Sequence, residues 1–211
     1  MYLSRIRQLI YLIFALVGLS ACRLSEQPSN AAHIAVISKL IKEGDIVFRR
    51  GEGVASRIVL AGDSDGEYSH IGMVVLDSGL LKIAHSVPGE PDFEGDFDRV
   101  KIDSVSVFFS KDHASKGAVM RLDLKEQERK VLTKRALEKV SMYVRFDHDY
   151  NLQDTTKLYC TEFIRLVYLS IGVELSEGRR TSAFIPGMQG DYIMPSDIFK
   201  NRTLKLVYSF N

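Results

Sequence analysis

Three side chains in this sequence combine the chemistry and the spacing that nucleophilic catalysis requires: Cys160, His70 and His85. Cys160 follows a polar stretch that ends at Lys157 and stands in the first turn of a segment with helical apolar spacing. A helix N-terminus carries partial positive charge and free backbone N–H groups. Both favour thiolate over thiol, so the sequence predicts a thiol pKa below its ordinary value. The same N–H groups can hold the oxyanion formed when a carbonyl is attacked. Taken alone, Cys160 also reads as a buried structural cysteine. His70 begins one extended run and His85 lies in the next. Counting about the turn at Asp77-Ser78-Gly79 sets position 70 opposite residues 85 to 87, which makes the imidazoles cross-strand or diagonal neighbours. A thiolate–imidazole pair needs a third polar group to fix the tautomer and orientation of its base. A second histidine across the hairpin can supply it.

Other clusters are weaker. Cys160, His70 and His85 offer only three zinc ligands and no short-spaced pair. Asp147, Asp149 and Asp154 lack the glycine and terminal glutamate of a calcium loop. No metal and no cofactor is expected. His33, His113 and His148 read as solvated surface groups.

The elements that must position these residues are legible from periodicity. Ile34, Ile37, Leu40 and Ile41 mark a short amphipathic helix over 31–42, broken by Gly44-Asp45. A strand follows at 46–48, a short helix at 54–60 and a polar loop at 62–67. Residues 70–76 and 80–87 flank a Gly-containing turn and read as a hairpin. An acidic loop at 88–98 precedes strands at 100–102 and 118–122. Residues 126–144 form a long amphipathic helix. Residues 146–157 are Asp-rich and irregular, residues 159–172 are helical with Gly172 as the stop, and 204–208 is a last strand. The pattern is one α+β domain with an antiparallel sheet packed against helices.

Three segments also match a known family: Gly44-Asp45-Ile46-Val47-Phe48-Arg49, then Tyr68-Ser69-His70-Ile71-Gly72-Met73-Val74-Val75, then Phe146-Asp147 leading to Leu158-Tyr159-Cys160-Thr161-Glu162-Phe163. Together they resemble the permuted papain-like cysteine hydrolases of the NlpC-type superfamily, in the YiiX/YebB-like branch, over about residues 42 to 200. Histidine precedes cysteine, as the permutation requires. The resemblance implies a papain-like fold with an antiparallel sheet or barrel. It makes Cys160 the nucleophile, His70 the general base and His85 the third polar residue, where several relatives have Glu. A family tyrosine near the nucleophile corresponds to Tyr68 or Tyr150, and Pro195-Ser196-Asp197 resembles a structural C-terminal segment. The implied activity is cleavage of an amide bond, in a murein peptide or other small peptide, through a thioester. Two alternatives remain: lipid acyl hydrolysis or acyl transfer on an ester or amide, and a non-catalytic envelope binding module.

The N-terminus places the chain. Arg5 and Arg7 precede an apolar run at 9–17, too short to span a bilayer but suited to a signal-peptide core. Leu19-Ser20-Ala21-Cys22 resembles a bacterial lipobox. The expected organisation is a signal peptide at 1–21, a lipidated Cys22 with a polar tether over 22–30, and a hydrolase domain over 31–211. Arg23 follows the lipidated cysteine and no Asp stands there, which implies an outer-membrane lipoprotein facing the periplasm. Loss of Arg5 and Arg7 with the signal takes the formal charge from +1 to −1. With no long basic run, nucleic acid is not an expected partner. Two cysteines exist in all, Cys22 and Cys160. With Cys22 lipidated, Cys160 is the only thiol in an oxidising compartment and no internal disulfide can form.

Overall fold

The computed structural model describes residues 30–63, 65–185 and 188–211. The expected signal peptide, the lipobox with Cys22 and the tether up to residue 29 lie outside the described residues. Helix α1 spans Ala31–Leu40, followed by strand β1, Ile46–Arg50, and helix α2, Val54–Gly62. The hairpin consists of β2, His70–Asp77, and β3, Leu80–Val87, and β4 spans Arg99–Asp103. A one-turn helix α3, Val105–Phe108, leads to β5, Lys116–Arg121, then α4, Glu126–Ser141, and α5, Cys160–Leu169. The chain closes with the hairpin β6 (Thr181–Ile185) and β7 (Met188–Tyr192), α6 (Pro195–Phe199) and β8 (Lys205–Phe210). No helix among the described residues is long and apolar enough to cross a membrane.

Six strands form one sheet in the order β4-β3-β2-β1-β5-β8, every neighbour antiparallel. Alternation along the strands divides the core into two layers. Ile46 and Phe48 of β1, with Ile71, Met73 and Val75 of β2, pack on one face with Leu132 and Ala136 of α4 and Phe163, Ile164 and Val167 of α5. Val47, Val74, Ile83 and Val119 face the other way, toward Ile37 of α1 and the aromatic pair Phe108 and Phe109. Gly72 is required by this packing: a Cβ there would stand 2.7 Å from Ile83 Cγ2 and 3.2 Å from both the Ala84 oxygen and the Phe108 ring.

Four elements were not foreseen. Helix α3 is too short to show a period, and its start is set by Ser104, whose hydroxyl accepts from the Val107 N–H at 3.2 Å. The β6–β7 hairpin lies in a segment of polar and small residues without clear alternation. Helix α6 is announced by Pro at its first turn, at the Pro195-Ser196-Asp197 segment. The long helix ends at Ser141, three residues earlier than its apolar stripe suggested, because Tyr143 takes a left-handed φ of 50°.

Candidate active site

The site occupies a place where the sheet opens. The β2–β3 ladder runs from Asp77↔Leu80 to Met73↔Ala84 and stops there. β3 stays paired with β4 as far as Val87↔Arg99, and β2 stays paired with β1 as far as His70↔Arg49. The start of α5 meets both strands at this splay. On one side the Ile71 backbone N–H points at the Cys160 sulfur. On the other the Ser86 hydroxyl donates to the Leu158 carbonyl at 2.5 Å. The helix start is held further by the Thr161 hydroxyl on the Ile193 carbonyl (2.5 Å) and the Ile193 N–H on the Tyr159 hydroxyl (3.2 Å). Cys160 is the first residue of α5, with Tyr159 in extended backbone before it, as the sequence predicts.

His70 and His85 meet as expected, although beyond the last ladder pair. His70 Nε2 and His85 Nδ1 are 2.9 Å apart. The other side of His85 was not read from sequence: its Nε2 is 3.0 Å from Asp103 Oδ2. Asp103 belongs to β4, diagonal to His85, which itself faces Lys101. Lys101 Nζ closes the chain on Asp103 Oδ1 at 3.2 Å and also bonds Asp92 at 2.6 Å. A signal for this existed, because Arg99, Lys101 and Asp103 alternate with Val100 and Ile102 and so line one face of a strand.

These contacts fix the tautomers. Burial alone would raise the Asp103 carboxyl, but the His85 hydrogen bond and the Lys101 ammonium prevail and hold it at about 2. As a carboxylate it only accepts, so His85 carries its proton on Nε2 and accepts at Nδ1. His70 must then donate from Nε2, which leaves its Nδ1 with a lone pair. Burial, then the Arg49 charge, keeps His70 well below its ordinary range. Burial also lowers His85, against the pull of Asp103.

The expected low thiol pKa is corrected here. Cys160 keeps partial contact with the cleft, yet burial pushes its thiol up to about 11. The N–H groups of Thr161, Ile71 and Cys160, and the Arg49 charge, oppose that without prevailing. Helix-start N–H groups do favour the anion, but desolvation of the sulfur costs more. The Cys160 thiol and the His70 imidazole, which line the same cleft, therefore both rest neutral.

The cleft has a volume of about 340 Å³ and is lined by Cys160, His70, Arg49, Glu90 and Tyr150 among others. Of the two candidate tyrosines, Tyr150 is the one at the site. Its ring packs on Tyr159 with centroids 5.4 Å apart. Its φ of 52° is left-handed, and Asp147 holds the turn by accepting from the N–H groups of Asp149 (3.0 Å) and Asn151 (2.6 Å). Burial, and secondarily Cys160, pushes the phenol up to about 12, so it remains a donor. Tyr68 is instead a core residue against Phe48 and Phe199. Arg49 also went unnoticed in the sequence. It is 3% exposed, lies 4.6 Å from the Phe108 ring centroid, and donates to the Phe108 carbonyl and to Glu90. His33, His113 and His148 take no part in the histidine relay. Each bonds elsewhere: His33 to the Tyr208 hydroxyl, His113 to the Val107 carbonyl and His148 to Asp98.

Glu162, two residues after the nucleophile candidate, is 4% exposed and its Oε2 has no hydrogen-bond partner. Burial, then the nearby Asp147 carboxylate, pushes it up to about 8. The folded state thus holds a proton that the unfolded chain loses near pH 4.3. Stability must fall as pH rises from there to about 8. Glu162→Gln should remove that decline. Denaturant titrations at about pH 5 and pH 8 should show the parent losing on the order of 2–4 kcal/mol more than the variant; parallel losses would show that Glu162 is ionised in the native protein.

No family model matches this chain, and no curated protein matches it. Among solved structures, it is similar to the crystal structure of metalloprotein yiiX from Escherichia coli O157:H7, DUF1105, with a TM-score of 0.67. The match covers 81% of this chain and 98% of that one at 18% sequence identity. The likeness defines a shared α+β fold.

Proposed function

We propose that this protein is a cysteine hydrolase of the permuted papain-like kind, cleaving an amide bond in a murein peptide or another small peptide. The observation that carries the reading is the relay Asp103–His85–His70, whose last member lines the same cleft as Cys160. His70 Nδ1 takes the thiol proton as the sulfur attacks the carbonyl carbon, and the neutral resting pair makes proton transfer part of that step. This reading assigns the developing oxyanion to the Cys160 N–H and the Tyr150 hydroxyl, since both residues line the cleft. The C–N bond breaks and the amine leaves with the proton from His70. Water then adds to the thioester, giving a proton to His70, and the C–S bond breaks to restore the thiol. In this reading Cys22 carries a lipid that anchors the domain to the outer membrane, facing the periplasm.

The yiiX protein is described as a metalloprotein. Among the described residues no three His, Cys, Asp or Glu side chains converge to hold an ion, and His70 and His85 spend their facing nitrogens on each other. A lipid acyl substrate is the second reading. It is favoured by Val54, a 75% exposed apolar side chain on the α2 wall of the cleft.

Incubating the purified protein with muropeptides and, separately, with phospholipids, followed by mass spectrometry of both pools, decides between them. Amide cleavage in the first pool that disappears with Cys160→Ser is the expected result. Acyl release in the second pool alone would transfer the function to lipid, and no product in either would refute the hydrolase reading.

A further inference from the structure

Glu90 sits in the acidic loop between β3 and β4 and lines the same cleft as Cys160. Its two carboxylate oxygens are treated differently. Oε1 accepts from Arg49, whose other arm donates to the Phe108 carbonyl at 3.1 Å. Oε2 is buried and has no hydrogen-bond partner among the described residues. The nearest cationic candidate is His113, but its Nδ1 stands 3.9 Å away and bonds the Val107 carbonyl at 3.1 Å. Buried carboxylate oxygens are ordinarily satisfied, because an unmade bond costs the desolvation of the acceptor. Arg49 is not the group that reads a ligand. It is 3% exposed, two of its donors are already in use, and its role is to hold the Glu90 carboxylate in place. Glu52 and Asp112 line the same cleft, so its carboxylates outnumber its one guanidinium.

We propose, building on the hydrolase reading, that Glu90 Oε2 receives a protonated primary amine of the substrate. The preferred substrates are then amides that carry a free ammonium group close to the scissile carbonyl. Such a group supplies the donor that Oε2 lacks and the positive charge that the cleft favours, in a charge-assisted hydrogen bond. The amine has two chemical sources, a peptide N-terminus or an ethanolamine headgroup. The anchor of specificity is the same for both.

Protection of Cys160 against iodoacetamide tests this without requiring turnover. The probes are alanyl-alanine, its N-acetylated twin and phosphoethanolamine, each titrated into the full protein. The expected result is that at least one free amine protects at a concentration roughly tenfold or more below N-acetyl-alanyl-alanine. Protection by the dipeptide assigns the amine to a peptide N-terminus, and protection by phosphoethanolamine assigns it to a headgroup. Glu90→Gln should erase the preference, and Glu90→Asp, which keeps the charge, should retain part of it. Equal protection by free and acetylated probes in the parent overturns the proposal, as does absence of protection by both amines. So does a preference that survives in Glu90→Gln. If Glu90→Gln fails to fold, the comparison of probes in the parent still decides. A protein that shows the amine preference but no turnover would sink the hydrolase reading and leave this one standing; turnover without the preference would do the reverse.

Discussion

His70→Ala should lower turnover by about 10²–10⁴-fold near neutral pH, the range expected when a positioned general base is removed, and Cys160→Ser should abolish it. Both variants should remain folded, since His70 is at a strand end and Ser nearly matches Cys in size. The thiol itself should titrate high. Burial raises Cys160 to about 11, so alkylation by iodoacetamide stays slow through about pH 7 and climbs only at alkaline pH. Because desolvation sets that midpoint, His70→Ala should leave it high while turnover collapses. This separates a base that acts during attack from an imidazolium that holds a resting thiolate. A parent profile that is already flat near pH 6 and shifts upward in His70→Ala would establish the resting ion pair instead. Unchanged turnover in His70→Ala would remove His70 from the mechanism.

Asp103→Asn is expected to cost on the order of 10²–10⁴-fold in kcat with little change in KM. The reason is proton placement. Asp103 can only accept, which forces the proton of His85 onto Nε2 and that of His70 onto Nε2. An asparagine amide can donate to His85 Nε2 instead. His85 then donates from Nδ1 to His70 Nε2, and His70 must carry its proton on Nδ1, where the base is needed. Nitrogen NMR of labelled histidine should report the reversed tautomers in the folded variant. Loss of kcat with both histidines unchanged in tautomer would make Asp103 a structural group only. The His85→Ala variant should fall between this and His70→Ala, because it removes the orienting partner but leaves the base.

Much of the site was determined by the sequence itself, because the signals are local. Apolar alternation on both sides of Asp77-Ser78-Gly79 specifies the hairpin, and a side-chain period of two leaves little freedom in its register. That alone brings His70 near His85. The apolar stripe Phe163, Ile164, Val167 and Tyr168 specifies α5, and the polar segment before it specifies that Cys160 stands at the start. The fold class follows from the same patterns, as does the existence of all but four of the described elements.

What only the tertiary structure decided depends on neighbours far apart in the chain. Asp103 reaches His85 because β4 pairs with β3 in one register, and no local pattern states which strand lies beside which. The choice of Tyr150 over Tyr68 depends on a turn held by Asp147 and on which side chain the core absorbs. Arg49 and Glu90 become partners across 41 residues. The direction of the Cys160 pKa was read wrongly from the helix start, since that reading counts local dipoles only. Desolvation is set by everything packed around the sulfur, and it is a property of the assembled fold that a stretch of sequence does not contain.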